Sequence, residues 1–490
     1  MASVLWPILR QAIRDPRRTV VIDDQRAWRY LDLVGGALHL AGKIDKVSGA
    51  KHVGIMLPTS GLFPMAAMAV WMLDRVIVPI NYLLGENERQ YIIDDSDIDT
   101  VITVGPMLEH LGSEPKNVQL IKLDDMNFKG VPPLRMPPLF VPNNELAAIL
   151  YTSGTSGRPK GVMLTHRNLR SNVAAARVHA GLNRGTRFLG VLPQFHCFGM
   201  TVLTLIPLTV GCRVIYSARF VPTKIVKLIA EHQADVFIAI PSMYTAMLNL
   251  KNASAADFQS VRLAVSGAEP LPTETHDRFL ERYNVNILEG YGLTETSPGV
   301  AWSLPTHNRV GSVGPLLPGV RVEIRDPQGE PLPPGEEGEV CIAGPNIMAG
   351  YYKMPEETAK VIDDRGYFRT GDMGTLDSHG LLSITGRIKE MIIVGGENVF
   401  PREIEEALTK HPSVQAAGAV GQRDPSRGEV VVAFVELIEG AGFDEAALRA
   451  HCREHLANFK QPRRIIHLEG LPRSATGKVL RRELLDQLDE

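Results

Sequence analysis

Seven short stretches hold most of the side chains in this chain that could do chemistry. The first is Tyr151-Thr-Ser-Gly-Thr-Ser-Gly-Arg-Pro-Lys160-Gly161, which follows an apolar run at 147–151. Thr152, Ser153, Thr155 and Ser156 supply hydroxyls, Gly154, Gly157 and Gly161 permit close backbone approach, and Lys160 adds positive charge. That mixture suits a polyphosphate, because glycine exposes N–H groups and hydroxyls donate beside them. It is not a Walker loop, since no Gly-Lys-Ser/Thr ending occurs at the required spacing. A plain surface turn is the competing reading. The other stretches are Leu192-Pro-Gln-Phe-His196-Cys-Phe-Gly199, Ser266-Gly-Ala-Glu-Pro270, Gly290-Tyr-Gly-Leu-Thr-Glu-Thr-Ser-Pro298, Tyr367-Phe-Arg-Thr-Gly-Asp372, and a pair near the far end. That pair is Gly386-Arg-Ile-Lys-Glu-Met-Ile-Ile-Val-Gly-Gly-Glu-Asn398 and Pro472-Arg-Ser-Ala-Thr-Gly-Lys478. Each member taken alone has a bland explanation. Glu295 would be a solvated acid, Asp372 a turn aspartate, Gly395-Gly396 a simple turn, His196 a core histidine and Lys478 a solvated lysine.

In this order, the stretches resemble the motifs of the adenylate-forming superfamily, which includes acyl-CoA synthetases, peptide-synthetase adenylation domains and luciferase-like enzymes. The pattern around His196 most resembles bacterial medium- or long-chain fatty acyl-CoA synthetases. The resemblance implies an ATP site built from residues 152–157 and Lys160, with Gly267, Ala268, Glu269, Glu289, Gly290 and Tyr291 on the adenine side. It implies Thr294 on phosphate, Glu295 on Mg²⁺, Asp372 on the ribose hydroxyls and Arg387 on ribose or phosphate. A single carboxylate completed by phosphate oxygens and waters is typical of Mg²⁺. Lys389 aligns with the pivot of a small domain, Gly395 and Gly396 with a pantetheine channel, Lys478 with the adenylating lysine and His196 with the acyl-carboxylate pocket. The implied reaction is activation of a carboxylic acid, a fatty acid by preference, as its acyl-adenylate, followed by transfer to coenzyme A. Transfer to an acyl carrier protein, an aryl acid as substrate, and a non-catalytic nucleotide binder are the alternatives. No carrier domain follows Lys478, which speaks against a multimodular synthetase.

The elements that must hold these residues are legible in outline. Apolar runs at 53–57, 100–104, 147–151, 236–240, 261–265 and 285–288 read as buried strands, with helical patterns at 221–233 and from an N-cap at Thr165 to Ala180. Strands alternating with helices predict doubly wound parallel sheets. After Val310 the alternation of Val320, Val322 and Ile324 with charged residues, the turn at 326–329 and the run 339–343 predict an antiparallel, small β-barrel-like part. From about Gly386 a fresh α+β pattern begins, with Pro401 at a helix start, strands at 414–420, 430–437 and 465–468, and helices at 444–457 and 479–488. The expected architecture is an α/β N-terminal domain, 1–386, and a small mobile α+β C-terminal domain, 387–490. The apolar stretch from Met200 to Val210 could line a hydrocarbon wall or form a buried helix.

Composition narrows the function further. A net charge of -3, from 52 basic and 55 acidic residues, gives no footprint for nucleic acid. Four scattered cysteines argue against disulfides or zinc and for a reducing, cytoplasmic setting. The start lacks the order of a signal peptide, and the longest apolar stretch, 62–73, is too short for a bilayer. Peripheral membrane contact stays open, and the oligomeric state is not written in the sequence.

Overall fold

The computed structural model describes residues 2–133, 135–152, 158–473 and 479–488. Two largely parallel sheets dominate. One has eight strands in the order Gly299–Trp302, Ile287–Gly292, Leu263–Ser266, Val236–Ala239, Arg187–Gly190, Arg213–Tyr216, Thr19–Ile22 and Ala27–Arg29. The other has seven, in the order Gly350–Tyr351, Lys160–Thr165, Leu146–Thr152, Val76–Pro79, His52–Ile55, Thr100–Thr103 and Gln119–Lys122. The two share a core, in which Val20, Phe188 and Val214 of one sheet join Val53, Ala147 and Leu150 of the other. Helices Tyr30–Val47, Leu62–Trp71 and His166–His179 contribute to it. Both faces of each sheet are therefore covered, which is why these strands are short, continuous apolar runs.

The eight-stranded sheet's other face is closed by Pro222–His232, Pro241–Leu248 and Thr273–Tyr283. Tyr244, Phe258, Phe279 and Tyr283 interlock there, with ring centroids 4.5–5.6 Å apart. Each such pair adds about 1 kcal/mol beyond its area burial.

Where the β-barrel-like part was expected stands a five-stranded antiparallel sheet: Gly314–Pro315, Leu381–Arg387, Phe368–Leu376, Glu337–Ala343 and Arg321–Arg325. Arg321 pairs with Ala343 and Arg325 with Glu339, in the hairpin-like register that the alternation predicted. The last sheet holds Glu397–Val399, Ile392–Val394, Gly428–Leu437 and Val414–Asp424, with Arg464–His467 added in parallel. It has cores of its own, centred on Ile404, Leu408, Val431 and Leu448 and on Phe434 and Leu484.

Caps set several of these elements. Thr165 Oγ1 accepts from Asn168 N at 3.1 Å, and Asn168 Oδ1 accepts from Thr165 N at 2.8 Å. Asn168 Nδ2 then donates to the carbonyls of Pro345 and Ile347, tying the helix start to the chain that leads into Gly350–Tyr351. Pro401 opens Pro401–Thr409, and Asp444 caps Glu445–His455. The apolar stretch after Gly199 is helical throughout, with a π turn at Thr201–Leu205 and an α turn at Ile206–Val210. Met200, Leu205 and Leu208 pack against Ile8, Phe63 and Met68, so this segment is core. No helix among the described residues is long and apolar enough to cross a membrane.

Candidate active site

The best-defined constellation lies in the antiparallel sheet. Asp372 and Arg387 are fifteen residues apart in the chain but are direct partners on adjacent strands. Arg387 Nε stands 2.8 Å from Asp372 Oδ1. The Tyr291 hydroxyl donates to Asp372 Oδ2 at 2.6 Å. The Asp372 side chain is 2% exposed and that of Arg387 33%. Burial works against the Arg387 charge, but Asp372 and then Glu390 outweigh it and raise its pKa. Burial, followed by the charge of Asp372, pushes the Tyr291 phenol far up, so it acts as a donor. The result is a fixed carboxylate backed by a fixed cation at the end of the strand Ile287–Gly292, suited to accept hydroxyls.

A second group gathers around Tyr351. Its hydroxyl donates to Glu295 Oε1 at 2.9 Å, and Met348 N donates to the Glu295 carbonyl at 2.8 Å. Lys160 Nζ lies 5.1 Å from the Tyr351 ring centroid and 2.7 Å from Glu357 Oε2. The Lys160 and Lys360 ammonium groups lower the Glu357 carboxyl to about 2. No group of three or more His, Cys, Asp or Glu among the described residues could hold a metal ion. A cation at Glu295 would thus lean on a ligand's oxygens, which fits Mg²⁺ held partly by phosphates.

His196 and Thr294 line one cleft, together with Pro79, Ile92, Leu150 and Phe195. His196 caps the short helix Cys197–Met200, with Nδ1 accepting from Phe198 N at 3.4 Å. That places its proton on Nε2, and burial lowers its pKa, so the imidazole is neutral. Cys197 beside it is no nucleophile, because burial pushes its thiol up to about 12. The chain's four cysteines are all buried and free.

Other expected positions are more dispersed. Gly267 sits against Phe198, and a Cβ there would meet the Phe198 ring at 3.0 Å. Ala268 adopts a φ of 72°, a turn conformation unusual for alanine. Glu289 and Gly290 belong to the strand that carries Tyr291. Burial raises the Glu289 carboxyl, opposed by Arg402. Arg481, which holds Glu390 and Glu405, lies within electrostatic reach of Glu269. Lys389 occupies the turn Ile388–Glu390 that follows the strand of Arg387. Gly395 and Gly396, with φ of 63° and 92°, form the turn between Ile392–Val394 and Glu397–Val399. Gly395 N donates to Arg427 O at 2.7 Å, within the same small sheet. Thr152, expected in the loop after a strand ending at Tyr151, is instead the last residue of the strand Leu146–Thr152. Ser153, Gly154, Thr155, Ser156, Gly157 and Lys478 lie outside the described residues. Tyr351 and Glu357 carry no sequence pattern that would single them out.

Comparison with known proteins adds to this geometry. Residues 8–352 match the family described as AMP-binding enzyme, and residues 403–478 match the AMP-binding enzyme C-terminal domain. A feruloyl-CoA synthase from Amycolatopsis sp. is 32% identical over 98% of this chain and 97% of its own length. A long-chain-fatty-acid–CoA ligase from Bacillus subtilis (strain 168) is 31% identical over 98% of this chain and 93% of its own. The crystal structure of ATP-bound MatB from Rhodopseudomonas palustris superposes with a TM-score of 0.89 at 29% identity, covering 100% of this chain and 99% of that one.

Proposed function

This chain belongs to the adenylate-forming superfamily of AMP-binding enzymes and is an AMP-forming acid–CoA ligase, and from that premise we propose that it activates a fatty acid with MgATP and transfers it to coenzyme A. The observation that carries the nucleotide half of this reading is the buried Asp372 carboxylate fixed between Arg387 and Tyr291.

In the first half-reaction, the acid's carboxylate oxygen attacks the α-phosphorus of ATP in line, and the bond to pyrophosphate breaks. Asp372 accepts the ribose hydroxyls, which orients the nucleoside for that attack. Residues 152–157, Lys160 and Thr294 bind the triphosphate, and Arg387 supports the ribose or phosphate side. Mg²⁺ held at Glu295 would neutralise charge on the departing pyrophosphate. His196 presents its Nε2 proton to the acid's carboxylate in a cleft with apolar walls. Lys478 stabilises the charge that develops where two anions are forced together, an effect worth most away from water. In the second half-reaction, the CoA thiol attacks the acyl carbonyl and AMP leaves. The small domain, which we divide from the large one at Gly386–Arg387, turns about Lys389 so that Gly395 and Gly396 face the thiol.

Supporting a fatty acid are Pro79, Ile92, Leu150 and Phe195 in the cleft around His196, which Asn81, Tyr151 and Thr294 also line, and the likeness to a long-chain-fatty-acid–CoA ligase. One observation favours a more compact, aryl acid instead: the apolar segment Thr201–Val210 is spent on the core rather than on an open wall. The deciding experiment is mass spectrometry of quenched reactions holding enzyme, MgATP, CoA and competing acids, from acetate to oleate with benzoate and ferulate. A dominant long-chain acyl-CoA supports the proposal, and a dominant aryl-CoA overturns the fatty-acid assignment. Acyl-adenylate without thioester would transfer the acceptor role to a carrier protein.

A further inference from the structure

We propose that Tyr351 is a positioning residue that sets the Glu295 carboxylate and the Lys160 ammonium on the two sides of the ATP phosphates from one rigid support. The inference rests on the nucleotide-binding reading above and deepens it. Tyr351 sits on an edge strand of two residues, Gly350–Tyr351, paired with the strand that begins at Lys160. Gly350 lies opposite Met163, and Tyr351 opposite Val162. The tyrosine therefore takes its place from the same strand that carries the lysine.

One hydrogen bond, a close approach of the preceding residue and burial fix it. Tyr351 N donates to Thr358 Oγ1 at 2.9 Å, which ties it to the helix Pro355–Val361. Gly350 before it has a φ of 135°, and a Cβ there would meet Thr358 Cγ2 at 2.8 Å, so the close approach requires glycine. The residue is 8% exposed. From this held ring, the hydroxyl reaches Glu295 Oε1 at 2.9 Å, and the face lies 5.1 Å from Lys160 Nζ. Glu357, on the helix tied to Tyr351, holds the same ammonium at 2.7 Å.

The physical consequence follows from the two kinds of contact. A donor bonded to one carboxylate oxygen fixes the carboxylate's rotation before any cation arrives, and such outer contacts are worth about tenfold or more in metal affinity. The ring's attraction for Lys160 does not need the hydroxyl. Removing only the hydroxyl should thus loosen the metal side and leave the lysine side in place.

The test compares Tyr351→Phe with wild type, and uses Tyr352→Phe as a control, since the neighbouring hydroxyl bonds the exposed Asp97 instead. Three quantities are read: the melting shift caused by ATP with and without Mg²⁺, acyl-adenylate formation against Mg²⁺ concentration, and conversion of supplied acyl-adenylate to acyl-CoA. For Tyr351→Phe, the Mg²⁺ concentration for half-maximal adenylation is expected to rise about tenfold. The Mg²⁺-dependent part of the melting shift is expected to shrink, while the metal-free ATP shift and the second half-reaction stay at wild-type values. Tyr352→Phe should match wild type throughout. Unchanged Mg²⁺ dependence in Tyr351→Phe, or equal loss in both half-reactions, would overturn the inference. If the wild-type chain adenylated no acid, the functional reading would fall, and the melting shifts would still decide this one.

Discussion

Replacing Asp372 by Asn keeps the side chain's volume and an acceptor for the Tyr291 hydroxyl, but withdraws the charge that faces Arg387 at 2.8 Å. If two ribose hydroxyls donate to this carboxylate, each bond changes from charge-assisted to neutral, a difference of about 1 kcal/mol per bond. The sum, about 2 kcal/mol, corresponds to a rise of about 30-fold in the KM for MgATP. Arg387 is one-third exposed, so water can take up part of its lost pairing, and the cost in stability should be well below that of a fully buried orphan. The assay is pyrophosphate release at saturating acid with MgATP varied, alongside thermal melting. Glu339→Gln is the matched control, because Glu339 is a buried acid of the same sheet that holds Arg369 at 2.6 Å, and a glutamine there can still accept from Gly371 N beside Asp372. It should lower melting without moving the KM for MgATP. An unchanged KM in Asp372→Asn, or an equal rise in Glu339→Gln, would refute the assignment of Asp372 to the ribose.

Lys478→Ala should abolish acyl-adenylate formation yet spare conversion of supplied acyl-adenylate to acyl-CoA, and equal loss of both would remove Lys478 from the adenylation step. Glu357→Gln frees Lys160 from its competing carboxylate. The KM for MgATP should fall by about threefold, the scale of a partly exposed ion pair, and a rise would mean that Glu357 orients the lysine for ATP. Acid should destabilise the fold through His166, which burial holds at about 4 while its Nδ1 accepts from Val4 N at 3.1 Å. Between the unfolded value near 6.5 and about 4, only the unfolded chain takes up the proton, so this contribution is intact above that window and lost as pH falls through it. The loss reaches about 3 kcal/mol, read as the difference in urea midpoints between pH 7.5 and pH 4 for wild type against His166→Gln. Identical pH dependence in the two would exclude His166.

The sequence disclosed the parts of this molecule that local chemistry determines. Thr165 reads as an N-cap because its hydroxyl and the side chain at Asn168 satisfy each other's backbone, and no distant residue is needed for that. The buried strands are legible because two covered faces demand continuous apolar runs. The strand predicted at 285–288 instead runs from Ile287 to Gly292, since its glycines pair with Gly299–Trp302, a partner that apolar content does not reveal. The facing of Asp372 and Arg387 depends on register, and an irregularity at Met373–Gly374 shifts that register between the two strands. The resemblance supplied both residues but not their pairing. Tyr351 was beyond reach, as its hydroxyl's partner lies 56 residues away and nothing in the order of residues links them.

The charges at this site also explain how it can exist before substrate arrives. A cleft built for a polyanion needs cations, and unpaired cations in a partly buried place are costly. Here Lys160 is paired with Glu357, and Arg387 with Asp372. Both acids have a second relation that differs in kind. Asp372 is buried and held by Tyr291, so its pairing is a fixed one, against which the proposed ribose would dock. Glu357 is 38% exposed and shared with Lys360, so its hold on Lys160 is one that water and a phosphate can replace. One ion pair is thus positioned to persist through the catalytic cycle and the other to exchange. If Lys160 binds the triphosphate as proposed, the exchangeable pair would lie where pyrophosphate enters as part of ATP and then leaves, and a partner that competes with phosphate would limit how tightly the product is retained.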